Sequence, residues 1–232
     1  MLASMPAKNT IKEFVTNGYY HLYNRGVEKR DIFMDEQDYG VMTSYMKTYL
    51  TSKDEDGLRR VILDESSSYK QKADASRLLR LNNFVNTLQL LSFCLMPNHF
   101  HFLVKQTEAN TIDRFMNSLF TRYSMYINRR YKRVGPLFQG LYKAVLVTTE
   151  EQFLYLSRYI HRNPASKGSA LRSYPYSSYA AYLGLRQYDW LHPKEILSYF
   201  GKGRRTSYQS FVEDIAENFA MHTLLVPLMV DE

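Results

Sequence analysis

The chain predicts an α+β fold: a ferredoxin-like βαββαβ sandwich with an antiparallel sheet and helices on one face, followed by a further helix and a C-terminal extension. Three observations carry this. Tyr19 to Asn24 alternates apolar and polar residues at the two-residue period of a strand. Leu88 to Met96 and His99 to Lys105 are apolar runs that meet at Pro97-Asn98, as the arms of a hairpin do. Stretches of helical period, Asp35 to Leu50 and Thr111 to Tyr131, separate the strands in sequence.

Each element has a local reason. Residues from Thr51 to about Arg80 are charged and serine-containing, and read as an insertion or mobile extension with a helical second half. In the second long helix Ile112, Phe115, Leu119, Tyr123 and Tyr126 fall at helical spacing, a core stripe. Lys143 to Thr148 is a β-branched strand. After it, Thr149 with Gln152 forms a capping-box start, and Glu150 and Glu151 suit the positive end of a helix. Phe153, Leu156 and Ile160 are its core positions. Asn163 precedes Pro164, which biases it away from helix and should end the segment. Tyr159 and Asn163, four apart, share one face, while His161 is rotated about 200° from Tyr159. In the βαββαβ order the first and third strands are central neighbours. Residues 15–184 are expected to form the main domain, and 185–232 a helical, basic extension.

Composition narrows the partners. The 232 residues carry a net charge of +7 and a pI near 9.3, which suits a polyanion. The single cysteine, Cys94, offers no disulfide framework and reads as core, consistent with a reducing cytoplasm. No signal-peptide pattern is evident, and no apolar run approaches the ~18 residues needed to span a bilayer.

The most informative residues are His99 and His101. On a strand they share one face, with Phe100 and Phe102 on the other. Two adjacent imidazoles are either ordinary hydrogen-bonded groups or two-thirds of a metal site. Alternation alone leaves both open.

Four stretches together resemble a known family: Tyr20-His21-Leu22-Tyr23-Asn24-Arg25-Gly26, Leu95-Met96-Pro97-Asn98-His99-Phe100-His101, Gly135-Pro136-Leu137-Phe138-Gln139-Gly140 and Tyr159-Ile160-His161-Arg162-Asn163-Pro164. Their order and content are similar to the HUH-type single-tyrosine transposases, and especially to the REP-associated tyrosine transposases. The resemblance implies that His99, His101 and Asn163 bind a divalent metal and that Tyr159 is the nucleophile. Insertion-sequence members usually have Gln where this chain has Asn163, which favours the REP-associated branch and a monomer over a homodimer. A bacterial cytoplasmic setting follows from the same resemblance.

The chemistry fits those residue types. A phenol has a pKa near 10 and needs help to act as a nucleophile. Two imidazoles and a neutral amide leave positions open for waters and phosphate oxygens, as Mg²⁺ or Mn²⁺ prefers. A structural zinc site would be closed and usually cysteine-rich. The substrate implied is single-stranded or hairpin DNA, nicked through a 5′-phosphotyrosine that leaves a 3′ hydroxyl. His21, on the neighbouring strand, is either a partner that orients a metal ligand or purely structural. Arg25, Arg122, Arg129, Arg130, Lys132, Arg133, Arg204 and Arg205 are candidate DNA contacts, supplying affinity rather than sequence choice. For each basic group a solvated surface role is the alternative. Two other functions remain: a non-catalytic nucleic-acid-binding protein on the same fold, and a phosphodiesterase in which water attacks.

Overall fold

The computed structural model describes residues 14–167, 170–201, 203 and 206–214. It shows a mixed α+β fold with more elements than a minimal ferredoxin-like unit. Strand β1 (Tyr19–Arg25) leads to helix α1 (Glu36–Leu50), then to α2 (Glu55–Leu63) and α3 (Tyr69–Arg80). Strands β2 (Leu88–Met96) and β3 (His99–Gln106) follow, then α4 (Thr111–Arg130), β4 (Lys143–Val147) and α5 (Glu150–Arg162). Three short helices close the described chain: α6 (Tyr179–Tyr182), α7 (Lys194–Leu197) and α8 (Tyr208–Glu213).

The sheet has the order β2-β3-β1-β4, with every neighbouring pair antiparallel. The first and third strands are therefore the central pair, as the sequence predicts. Alternation then sorts the side chains. Tyr20, Leu22, Phe100 and Phe102 are buried on the face covered by α1 and α4, where Phe100 stacks on Phe120 at 4.7 Å. His21, Tyr23, Arg25, His99 and His101 share the other face, which α5 crosses. Tyr123 is buried in the α4 core stripe and donates to Ile32 O at 2.7 Å. Tyr126 lies at the edge of that stripe, where its hydroxyl donates to Asp38 at 2.9 Å.

Three local expectations are revised. Both halves of the 51–80 segment are helical, because Asp54 caps α2 by accepting from Gly57 N while Ser68 and Gln71 form a complete capping box on α3. Thr149 does cap α5, accepting from Gln152 N at 3.1 Å. The Gln152 carboxamide, however, reaches back to Thr148 N at 3.0 Å rather than to Thr149. Helix α5 ends at Arg162 as expected, yet Asn163 keeps helical dihedrals (φ −48°, ψ −43°) and opens a 3₁₀ turn over Asn163–Lys167. Its backbone N–H and its Nδ2 both donate to Tyr159 O, which outweighs the pre-proline bias.

The outer edge of β2 is capped by backbone bonds from the chain beyond α5. Leu95 N donates to Tyr176 O, Ser178 N to Phe93 O and His192 N to Leu90 O, each at 2.9 Å. An edge strand left open is a template for unwanted pairing, and this segment closes it. Cys94 is fully buried beneath it.

Candidate active site

The four stretches singled out in sequence meet at one end of the sheet. Gly26 N donates to Asn98 O at 2.8 Å, Ile32 N to Pro97 O at 2.7 Å and Gln139 N to Arg25 O at 2.8 Å. The loops after β1, between β2 and β3, and before β4 are thus one hydrogen-bonded unit. Gly26 is required by close approach: a Cβ there would sit 2.1 Å from Arg30 O.

On this frame the candidate residues converge. His99 Nε2 lies 3.1 Å from Asn163 Oδ1, and His99 Nδ1 lies 2.8 Å from Asn98 Oδ1. Asn163 Nδ2 donates to Tyr159 O at 3.1 Å, which fixes the amide with its oxygen toward His99. The Tyr159 ring stands edge-on to His101, with centroids 5.3 Å apart. His101 Nδ1 is 2.8 Å from His21 Nε2, whereas His101 Nε2 is buried without a hydrogen-bond partner. Burial, with His21 and His99 beside it, holds the pKa of His101 well below the usual imidazole range, so the ring is neutral at pH 7.

The donor set suits a hard divalent ion. Ligands about 2.1 Å from Mg²⁺ in octahedral geometry lie about 3 Å apart when adjacent, close to the His99–Asn163 separation. The orphaned His101 Nε2 is a second indication, because buried polar atoms in native proteins almost always have a partner. Among the described residues no group of three or more His, Cys, Asp or Glu could hold an ion. The candidate set here is two imidazoles and an amide.

His161 does point elsewhere. It is fully buried behind α5, between Tyr208 Oη and Ser178 Oγ, each at 2.7 Å, and burial lowers its pKa to about 3.

The basic candidates divide by placement. Arg25 pairs across the sheet with His99 and donates to Gln139 at 2.6 Å. Arg129 and Lys132 are exposed and Arg133 half-buried at the end of α4, which leads into the Gly135–Gly140 loop. Arg122 instead lies over the Tyr45 ring of α1 at 3.7 Å. Arg130 is clamped by Asp35 at 2.6 Å and Asp38 at 2.7 Å. Arg204 and Arg205 lie outside the described residues.

Two contributors lie in those four stretches but had no role assigned from sequence. Asn98 orients His99, although its place beside Pro97 marks it only as a turn residue. Tyr23 stacks on His21 at 4.7 Å and on His101 at 5.9 Å; the alternation of β1 already places it on the histidine face.

Residues 72–163 match the family model described as IS200-like transposase, and over that segment the chain is homologous to this family. The match contains His99, His101 and Tyr159 and ends on Asn163. Two solved structures are similar at lower identity. A REP-associated tyrosine transposase bound to a REP hairpin shares 13% identity over 79% of this chain and 90% of its own, with a TM-score of 0.46. A provisionally assigned transposase from Deinococcus radiodurans R1 shares 18% identity over 66% of this chain and 96% of its own, with a TM-score of 0.28. No curated protein matches the chain. Among the described residues no helix is long and apolar enough to cross a membrane.

Proposed function

We propose that the protein is a metal-dependent endonuclease and strand transferase for single-stranded, hairpin-forming DNA, with Tyr159 as nucleophile. The observation that carries this reading is the convergence of His99 and His101 from β3, Tyr159 from α5 and Asn163 from the turn after α5 onto one small volume, within a segment homologous to IS200-like transposases.

His99, His101 and Asn163 would hold Mg²⁺ or Mn²⁺, which when bound supplies Lewis-acid polarisation of the scissile phosphate. The chain's own groups do the rest. With the His101 Nδ1 proton directed at His21 Nε2, His101 presents a lone pair from Nε2; Asn98 does the corresponding service for His99. Asn163, tied to Tyr159 O, couples the ligand set to the backbone of the nucleophile. Tyr159 Oη attacks phosphorus and loses its proton, while the bond from phosphorus to the 3′ oxygen breaks and that oxygen takes up a proton. The products are a 5′-phosphotyrosine and a 3′ hydroxyl. Because the link remains a phosphodiester, the strand can be rejoined or transferred without a nucleotide cofactor.

Arg25, Arg129, Lys132 and Arg133 supply backbone contacts, whereas Arg122 and Arg130 serve internal packing. A monomer is the proposed working form, since Tyr159 packs against His101 of its own copy. The test is a pair of substitutions. Tyr159→Phe abolishes cleavage if the phenol attacks and spares it if water does, and replacing His99 and His101 by alanine abolishes it by either route.

A further inference from the structure

Beside His99 and His101, the β1–β4 half of the same sheet face carries Tyr23 and Lys143, which the reaction above does not use. The register sets His101, Tyr23 and Lys143 side by side across β3, β1 and β4. Two residue pairs along, on the same face, Arg25 lies opposite His99. Burial falls off along this row: His101 is buried, Tyr23 is half-buried and Lys143 is exposed. The Tyr23 ring is nearly parallel to both imidazoles, at 27° to His21 and 25° to His101, so its plane is fixed by the site itself. The ring is thus a fixed aromatic shelf, flanked in the sheet register by two basic residues, Arg25 on its own strand and Lys143 on the next.

A shelf of this kind matches one ligand chemistry. Single-stranded DNA offers flat bases at roughly the spacing of its phosphates, and proteins hold it by stacking bases on aromatic rings while Lys and Arg track the backbone. Tyr in such a row has a structural alternative, a core ring that stiffens the imidazoles. That role alone would not place it half-exposed between cations. The chain's net charge of +7 also favours a polyanion over an acidic or apolar small molecule.

We infer that Tyr23, flanked by Arg25 and Lys143, is a stacking site for a nucleotide next to the scissile phosphate, and that the single strand leaves the catalytic residues across β1 toward β4. The inference rests on the nickase reading but makes a binding claim that can fail separately from it. Stacking of this type tolerates any base, so the site positions the strand without choosing its sequence.

The experiment uses the full chain carrying Tyr159→Phe, so that no cleavage intervenes. The probes are DNA hairpins with oligothymidine arms in which one 2-aminopurine is moved position by position. Quenching is expected at one or two adjacent positions. It should persist in Tyr23→Phe, which keeps the ring, and disappear in Tyr23→Leu with affinity weakened about 5- to 150-fold. Lys143→Ala should lower the slope of log affinity against log salt by about 0.7, the contribution of one single-strand phosphate. Quenching that survives in Tyr23→Leu, or is lost in Tyr23→Phe, overturns the stacking claim. If Tyr23→Leu does not fold, an unchanged salt slope in Lys143→Ala overturns the path. Should Tyr159→Phe still cut DNA while the quenching depends on Tyr23, the nucleophile assignment fails and the binding site stands.

Discussion

Substituting Tyr208 by Phe tests how α5, which carries Tyr159, is held from behind. A relay of buried hydrogen bonds runs from Ser178 Oγ to His161 Nε2, from His161 Nδ1 to Tyr208 Oη, and from Tyr208 Oη to Ser157 Oγ at 3.0 Å. Ser157 Oγ then donates to Leu154 O at 2.6 Å. His161 is neutral, since burial lowers its pKa to about 3, so one ring nitrogen donates and the other accepts. Tyr208→Phe keeps the ring and removes one hydroxyl. Ser157 retains Leu154 O, and the group left unpaired is His161 Nδ1–H. An orphaned buried donor costs about 1–3 kcal/mol. For a chain of this size each kcal/mol shifts the melting temperature by about 2–4 °C, so the expected fall is about 2–12 °C. Because His161 lies between Tyr159 and Asn163 on the same turn, cleavage should slow while hairpin affinity stays unchanged. Calorimetric melting at neutral pH and single-turnover cleavage read the two effects. A variant that melts within about 1 °C of the parent and cuts at the same rate would refute the idea that this relay holds α5.

Other expected outcomes follow from the same contacts. His21→Leu should weaken Mn²⁺ binding about 10–100-fold by titration calorimetry, since it removes the partner of His101 Nδ1; unchanged affinity would make His21 purely structural. Gly26→Ala should lower stability and cleavage together, because Arg30 O must move from 2.1 Å, and a denaturation midpoint equal to the parent's would contradict this. Arg172 holds Glu213 at about pKa 2, below the ordinary 4.5, so the folded state binds that proton less readily than the unfolded chain. Its contribution should be complete above about pH 4.5 and vanish as pH falls toward 2, a dependence that Glu213→Gln should flatten in acid melts. Chelation of divalent ions should abolish cleavage while leaving hairpin binding in a gel-shift assay.

Much of this was legible in the sequence because local signals and tertiary need agree. The strands β1 to β4 and the helices α1, α4 and α5 appear where alternation, capping residues and helical spacing place them. The shared face of Tyr159 and Asn163 follows from a spacing of four. What was hidden depends on contacts distant in sequence. Nothing local distinguishes Arg130 from Arg129, yet one is clamped by Asp35 and Asp38 and the other is exposed. Arg122 reads as a DNA contact until α1 brings Tyr45 beneath it. The helical dihedrals of Asn163 required knowing that its amide would fold back on Tyr159 O. The stretches Tyr174–Tyr179 and Tyr182–Gly184 read in sequence as covering the sheet or approaching DNA; they do the former, and only the sheet shows that β2 is the strand they cover.

Covalent trapping is the decisive experiment for Tyr159 as the nucleophile. The protein is incubated with labelled single-stranded hairpin DNA from near its own gene, with Mg²⁺ or Mn²⁺, and separated under denaturing conditions. A protein–DNA adduct that needs the metal and vanishes in Tyr159→Phe is expected. Cleavage that yields no adduct and persists in Tyr159→Phe would contradict it, and would assign the attack to water.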